Sequence, residues 1–187
     1  RQRVAMACCA MAFFCGLVVL VGWIMHIRLL ADISSDRIPM APSTACVFLL
    51  LGGGVFLRCR WPSQPLTGWF GFLVVFCTTA MNALVLAGPL LHFELPVDQW
   101  LAPTPAHLGE IPTGRMSPLT ALVFLAIAVA FLLELRPFGH RRLYRHATAA
   151  LALAALVTSL VVLLSYAVGT PLFYGSNTVP MSLPTAS

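Results

Sequence analysis

The sequence predicts an all-α fold, a polytopic membrane protein with one transmembrane domain over residues 1–187, and three observations lead to this prediction. Apolar residues make up 59% of the chain, charged residues make up 9%, and the mean hydropathy is +0.91. Several apolar segments are long enough to cross a bilayer as helices. A short motif also recurs three times along the chain, each time at the predicted start of a helix.

The recurring motif is Met-x-x-x-Thr-Ala with a proline inside it. Proline is favoured at the first position of a helix, because its missing N–H would be unpaired there in any case. A serine or backbone group beside it can cap the first turn, and the methionine and threonine then share one face. The three copies contain Met40, Pro42 and Thr44; Met116, Pro118 and Thr120; and Met181, Pro184 and Thr185.

The motif divides the chain into three repeated helical hairpins, over approximately residues 4–57, 68–135 and 147–187. Each hairpin has an outgoing helix, a loop and a returning helix that the motif begins. Five full transmembrane helices and the start of a sixth are therefore expected, and a packing around a pseudo-threefold axis fits this pattern. The five helices are predicted over Val4–Ile27, Pro42–Leu57, about Gly68–Leu91, Pro118–Leu135 and Ala147–Val168.

The distribution of arginine predicts the orientation of these helices. Eight of the eleven arginines fall on one side of the predicted membrane, whereas five of the six acidic residues fall on the other. The positive-inside rule places the arginine-rich side, and with it the N-terminus, in the cytoplasm. We therefore expect a multi-pass membrane protein with a cytoplasmic N-terminus and with all three motifs at the outer face. The eight arginines are Arg1, Arg3, Arg58, Arg60, Arg136, Arg141, Arg142 and Arg145.

Two histidines occupy equivalent positions at the outer ends of the first and third predicted helices. His26 follows Gly22, and His92 follows Gly88, at the same spacing. Two imidazoles at one depth can ligate a haem, and one alone can ligate the magnesium of a chlorin. The alternative, which we favour, is that both are interfacial histidines bonded to water or lipid headgroups.

Asn82 is the one amide side chain inside a predicted membrane span, and Thr78 lies one helical turn before it. A polar group at that depth needs a partner, and a hydrogen bond between helices is the structural interpretation. Contact with a quinone or another small ligand is the functional alternative.

The remaining features argue against catalysis and transport. The chain has no lysine, so it cannot form a retinal Schiff base or use a lysine nucleophile. No nucleophile–base pair, carboxylate dyad, phosphate loop or zinc spacing is present, and no enzymatic function is predicted. No Asp, Glu or Arg falls in the middle of a predicted span, which argues against an ion or proton pathway.

Three stretches of sequence carry a resemblance to a known family: PMAPSTACVFLLLG, GRMSPLTALVFLAIAVAFLLEL and YAVGTPLFYGSNTVPMSLPTA. They resemble the six-helix N-terminal membrane region that precedes PAS, histidine-kinase or diguanylate-cyclase modules in bacterial signalling proteins. The resemblance implies a sensory or anchoring module of the bacterial inner membrane. The chain begins at Arg1 without a methionine and stops three residues after Pro184, so we also expect it to be a piece of a longer protein. The resemblance also implies that the partners are membrane lipid and a cytoplasmic signalling domain.

A second hypothesis is a structural accessory subunit of a larger membrane complex, respiratory or photosynthetic, built on the same scaffold. In that case the partners are lipid and other membrane subunits, and the output domain has been lost. Neither hypothesis involves nucleic acid.

Overall fold

The computed structural model describes residues 2–25, 27, 40–91, 107–108, 111–112, 116–135 and 141–167. Five helices contain most of these residues, and two short strands pair antiparallel between the third and fourth helices. The all-α prediction is confirmed, since this two-residue ladder is the one addition to it in the described part. The elements are α1 (Gln2–Ile24), α2 (Pro42–Arg60), α3 (Pro65–Leu91), β1 (His107–Leu108), β2 (Ile111–Pro112), α4 (Pro118–Leu135) and α5 (Arg141–Ala167).

The predicted proline starts of α2 and α4 are confirmed, and α4 has the predicted bounds. α3 begins at Pro65, three residues before the predicted Gly68. Pro65 is a third case of proline at the first helical position, where no hydrogen bond is lost. Local backbone chemistry therefore fixes these three helix starts.

The helix boundaries that involve arginine were predicted wrongly. α2 continues past Leu57 through Arg60, and α5 begins at Arg141 instead of Ala147. Arginine is a good helix former, and at the end of α2 its charge also complements the helix dipole. An apolar segment therefore marks where a helix crosses lipid, while the helix itself extends further into the polar region.

All five helices are long and apolar enough to cross a membrane. Large apolar side chains also cover their outer surfaces, as is expected where a protein contacts lipid instead of water. In α3, for example, Trp69 is 77% exposed and Phe76 is 72% exposed. The described helices thus have the surface of a membrane protein.

The helices differ in how central they are. α1 packs against α2, α2 against α3, α3 against α4, and α4 against α5, while α2 also contacts α4 directly. Within the membrane-length windows, 44% of residues are buried in α2 and in α4, against 11% in α1 and in α5. The two motif-bearing helices therefore form the centre of the described structure.

The main core lies where α2, α3 and α4 meet. It contains buried apolar residues from all three helices, among them Val47, Val74 and Ala128. The rings of Phe48 and Phe124 pack edge to face there, with 5.3 Å between centroids. These two phenylalanines are separated by 76 residues, as are Met40 and Met116 of the two motifs. Equivalent residues of two repeats thus contact each other in the core.

Candidate functional site

The first motif lies at a buried helix start. Ala41 precedes Pro42 in an extended conformation, and its carbonyl accepts a hydrogen bond from the Ala45 N–H at 3.1 Å. No side chain caps this turn. Met40 and Thr44 are both buried, so the motif packs inside the protein.

The second motif has the same geometry with an added cap. Ser117 Oγ accepts a hydrogen bond from the backbone N–H of Thr120 at 3.1 Å and lies 2.8 Å from Thr120 Oγ1. Ser117 therefore caps the first turn of α4, as the sequence predicts. Met116 and Thr120 are buried like their counterparts in the first motif.

Several predicted site residues lie outside the described residues: His26, His92, Met181, Pro184 and Thr185. The haem or chlorin site at the two histidines therefore stays a prediction, and so does the helix start at the third motif. Among the residues that the structure describes, no group of three or more His, Cys, Asp or Glu is placed to hold a metal ion.

A tryptophan joins the C-terminal end of α1 to the first motif. The indole N–H of Trp23 donates a hydrogen bond to the carbonyl oxygen of Met40 at 2.9 Å. Met40 and Ala45 form a small buried cluster with Val19 of α1, and Trp23 packs against that cluster. In the second hairpin, Pro89 stands at the position of Trp23 and offers no side-chain donor.

Glycines bring α1 and α2 into backbone contact. A Cβ atom added at Gly16 would lie 2.7 Å from the backbone oxygen of Ala45. A Cβ atom added at Gly52 would lie 3.0 Å from the backbone oxygen of Cys9 and 3.0 Å from the backbone nitrogen of Phe13. Small residues at two levels therefore let the two backbones approach closely.

Asn82 is completely buried and makes its hydrogen bond within its own helix. Its Nδ2 donates to the backbone oxygen of Thr78 at 2.8 Å. The opposite orientation of the amide would put Oδ1 against that carbonyl, acceptor against acceptor. In the observed orientation Oδ1 has no hydrogen-bond partner. The hydrogen bond between helices that the sequence led us to expect is thus replaced by a bond inside α3.

Thr78 contributes a second unpaired polar atom, since its hydroxyl oxygen is buried without a partner. A threonine inside a helix commonly donates to the carbonyl four residues earlier. Thr158 of α5 does so, with its hydroxyl 2.9 Å from the backbone oxygen of Ala154. The Thr78 hydroxyl is different, and with Asn82 it forms what we call the polar pair.

The polar pair lies deep in the membrane span. At about 1.5 Å per residue, Asn82 is about 14 Å from the C-terminal end of α3 at Leu91. Thr78 lies close to the midpoint of the span Pro65–Gly88. Leaving a buried polar atom unpaired costs about 1–3 kcal/mol. The polar pair therefore destabilises this packing of α3.

The internal repeat shows what Asn82 replaces. Gly22 and Gly88 are 66 residues apart, and so are Gly16 and Asn82. Where the first hairpin has a glycine in backbone contact with α2, the second hairpin carries a buried amide. The equivalent sequence position thus holds a glycine in one hairpin and a buried amide in the other.

The sequence identified Asn82 but not its energetic state. Thr78 was noticed only as a neighbour, and Trp23 and Gly16 were not identified as functional or packing residues. One sequence signal was available for Gly16, because the 66-residue offset aligns it with Asn82. No sequence signal shows that Trp23 reaches the Met40 carbonyl, since that contact depends on how the hairpin closes.

We compared the chain with family models, with curated proteins and with solved structures, and nothing matches it.

Proposed function

We propose that the protein is a non-enzymatic integral membrane module of the bacterial inner membrane, the sensory or anchoring input region of a signalling protein. The apolar helices support the membrane assignment. The resemblance of the repeated helix starts to the membrane regions of bacterial signalling proteins supports the rest. The module receives its stimulus in the membrane or at its outer face and passes it on through helix packing.

The observation that carries this proposal is the polar pair. A sensor needs two helix packings whose relative stability a stimulus can change. Two unpaired polar atoms, Thr78 Oγ1 and Asn82 Oδ1, lie in α3, which packs against both central helices. The two unpaired atoms raise the free energy of this packing, which reduces the free-energy difference between it and an alternative packing.

The two hairpins are suited to different roles in such a mechanism. α1 and α2 are in backbone contact and are joined by the Trp23–Met40 hydrogen bond, so they form a firm unit. α3 carries the polar pair and contacts α4 through side chains, such as Leu135 against Gly71. We infer that α3 is the helix that moves, with α1 and α2 as its frame.

Charges and aromatic residues support a cytoplasmic N-terminus. The last turn of α2 carries Arg58 and Arg60, with the Arg60 guanidinium 5.4 Å from the centroid of the Trp61 ring. Basic and aromatic residues are typical of the cytoplasmic interface. The charged side chains in the described helices also lie near helix ends, which supports a role other than ion transport.

Cysteine labelling tests this orientation. Ser63 is exposed in the α2–α3 turn, and Ser35 belongs to the predicted outer loop. In intact cells, a membrane-impermeant maleimide should label a Ser35→Cys protein above the parent level and leave a Ser63→Cys protein at that level. Labelling of the Ser63 site from outside would reverse the proposed orientation.

The alternative is a structural accessory subunit of a larger respiratory or photosynthetic membrane complex. The exposed aromatic face of α3, with Trp69, Phe72 and Phe76, favours it, because such a face can pack against a neighbouring subunit. The gene sequence downstream of the Ser187 codon separates the two functions. A PAS, kinase or diguanylate-cyclase segment would support the input module, and a stop codon soon after a sixth helix would support the accessory subunit.

A further inference from the structure

In this packing no hydrogen-bond donor is in place for Asn82 Oδ1. Asn82 Oδ1 can only accept a hydrogen bond, whereas the Thr78 hydroxyl can donate or accept. The backbone N–H groups in the middle of α3 already bond to carbonyls of the helix. A donor for Asn82 Oδ1 must therefore come from the Thr78 hydroxyl, from another helix or from a small molecule.

Both oxygen atoms are enclosed by protein atoms, and both residues have 0% exposure. A water-sized molecule cannot touch either oxygen while the helices keep this packing. Since α3 packs against both α2 and α4, access requires α3 to separate from at least one of them. Movement of α3 and satisfaction of the pair are therefore linked.

We propose that Thr78 and Asn82 form a hydration site that takes up water when α3 separates from α2 or α4. The water donates one hydrogen bond to Asn82 Oδ1. It forms a second hydrogen bond with the Thr78 hydroxyl, as donor or as acceptor. Two polar partners one helical turn apart are enough to hold a buried water. A ligand with acceptor atoms alone, such as an oxidised quinone, would leave Asn82 Oδ1 unpaired.

Hydration stabilises the separated packing and leaves the close packing unchanged. This difference in affinity is what a two-state equilibrium needs in order to shift. As a means of signal regulation, the inference rests on the proposed input function. The hydration site itself does not, because it follows from the two unpaired atoms.

Isotope-edited infrared spectroscopy of the Asn82 side-chain carbonyl tests the proposal on the full chain. Asn82 and Asn177 are the two asparagines of the sequence. An Asn177→Gln background labelled with side-chain ¹³C asparagine therefore reports on Asn82 alone. A carbonyl that accepts a hydrogen bond absorbs at lower frequency than one without a donor. We expect a lower-frequency component that shifts further when D₂O replaces H₂O.

Two matched variants test whether the hydrogen bond to Asn82 Oδ1 depends on the Thr78 hydroxyl. Thr78→Val removes the hydroxyl that holds the water and should shift the band towards the donor-free frequency. Thr79→Val, on the next residue, should leave the band where it is. Circular dichroism confirms that each variant is folded, and in an unfolded one the same comparison is made with Thr78→Ala and Thr79→Ala.

The other outcomes would overturn the site. A single donor-free band in every sample means that water does not reach Asn82. A lower-frequency band whose position changes neither in D₂O nor in the Thr78 variant means that another protein group donates to Asn82 Oδ1. The downstream gene sequence tests the signalling function separately, so a failure of one proposal is distinguishable from a failure of the other.

Discussion

The α1–α2 hairpin packs through glycine, whereas the α3–α4 hairpin packs through side chains and encloses an amide. Gly16 and Gly52 face backbone atoms of the opposite helix, which cannot yield. Gly71 of the second hairpin faces the end of the Leu135 side chain, which can rotate away. One repeat has thus become firm and the other adaptable, although both begin their returning helix with the same motif.

Under the proposed function, this difference is how one repeat acquires a helix that moves. Position 16 in the first hairpin and position 82 in the second are equivalent, and they hold Gly and Asn. Glycine permits close, apolar contact over the whole level, while asparagine brings a group that needs a partner. The two hairpins therefore differ at one equivalent position, where the second hairpin carries an unpaired polar group that favours separation of its helices.

The largest expected effect comes from breaking the firm hairpin. Gly16→Ala places a Cβ atom 2.7 Å from the Ala45 backbone oxygen, so α1 and α2 must move apart. We expect a loss of about 1–3 kcal/mol in the free energy of unfolding, measured by denaturant unfolding in mixed micelles. Gly68→Ala is the control, since nothing lies within 4 Å of its added Cβ atom. Equal effects of the two substitutions would contradict the backbone contact.

The second prediction concerns the unpaired polar atoms of the α3–α4 hairpin. Asn82→Leu removes the unpaired acceptor while keeping the number and branching of the side-chain heavy atoms, so we expect neutral or increased stability of up to about 1–3 kcal/mol. Thr78→Val should act in the same direction. Thr158→Val is the matched control, because its hydroxyl is paired and its loss should be slightly destabilising. A strong destabilisation by Asn82→Leu would instead indicate an interhelical hydrogen bond.

The features that the sequence predicted correctly are local. Pro42 and Pro118 begin helices because of proline's own geometry, and Ser117 caps its turn because the acceptor and the N–H lie three residues apart. Asn82 lies inside a helix of membrane-spanning length because a long run of apolar residues surrounds it in the sequence. Each of these results needs little knowledge of the remaining chain.

The features that were missed depend on how distant segments pack. The extension of α2 to Arg60 was not predicted because hydropathy detects lipid contact and not helical structure. The state of Asn82 was not predicted because its hydrogen bonding depends on which atoms of α2 and α4 come near it. The 66-residue repeat offset supplies part of the missing information, since it identifies Gly16 as the position to compare with Asn82.

The third prediction compares the two helix starts. Ser117→Ala removes the cap on the Thr120 N–H and gives α4 the uncapped start that Ala41 gives α2. We expect a loss of about 1 kcal/mol in the free energy of unfolding. Ser117→Asp should retain part of the cap through its carboxylate oxygen, while Ser63→Ala in the exposed α2–α3 turn serves as a control. If Ser117→Ala leaves the stability unchanged, the motif's other residues alone hold the helix start.

The smallest effect is expected for the bond that joins α1 to the first motif. Trp23→Phe keeps an aromatic ring against Met40 but removes the indole N–H that donates to the Met40 carbonyl. Hydrogen bonds between membrane helices contribute about 0.6 kcal/mol on average, so a loss near that size is expected. Trp69→Phe is the matched control, because Trp69 is 77% exposed on the outer face of α3. Unfolding of both variants in the same micelles measures the difference. If the Trp69 variant loses as much stability as the Trp23 variant, the Met40 hydrogen bond adds nothing to the firmness of the first hairpin, and the glycine contacts alone account for it.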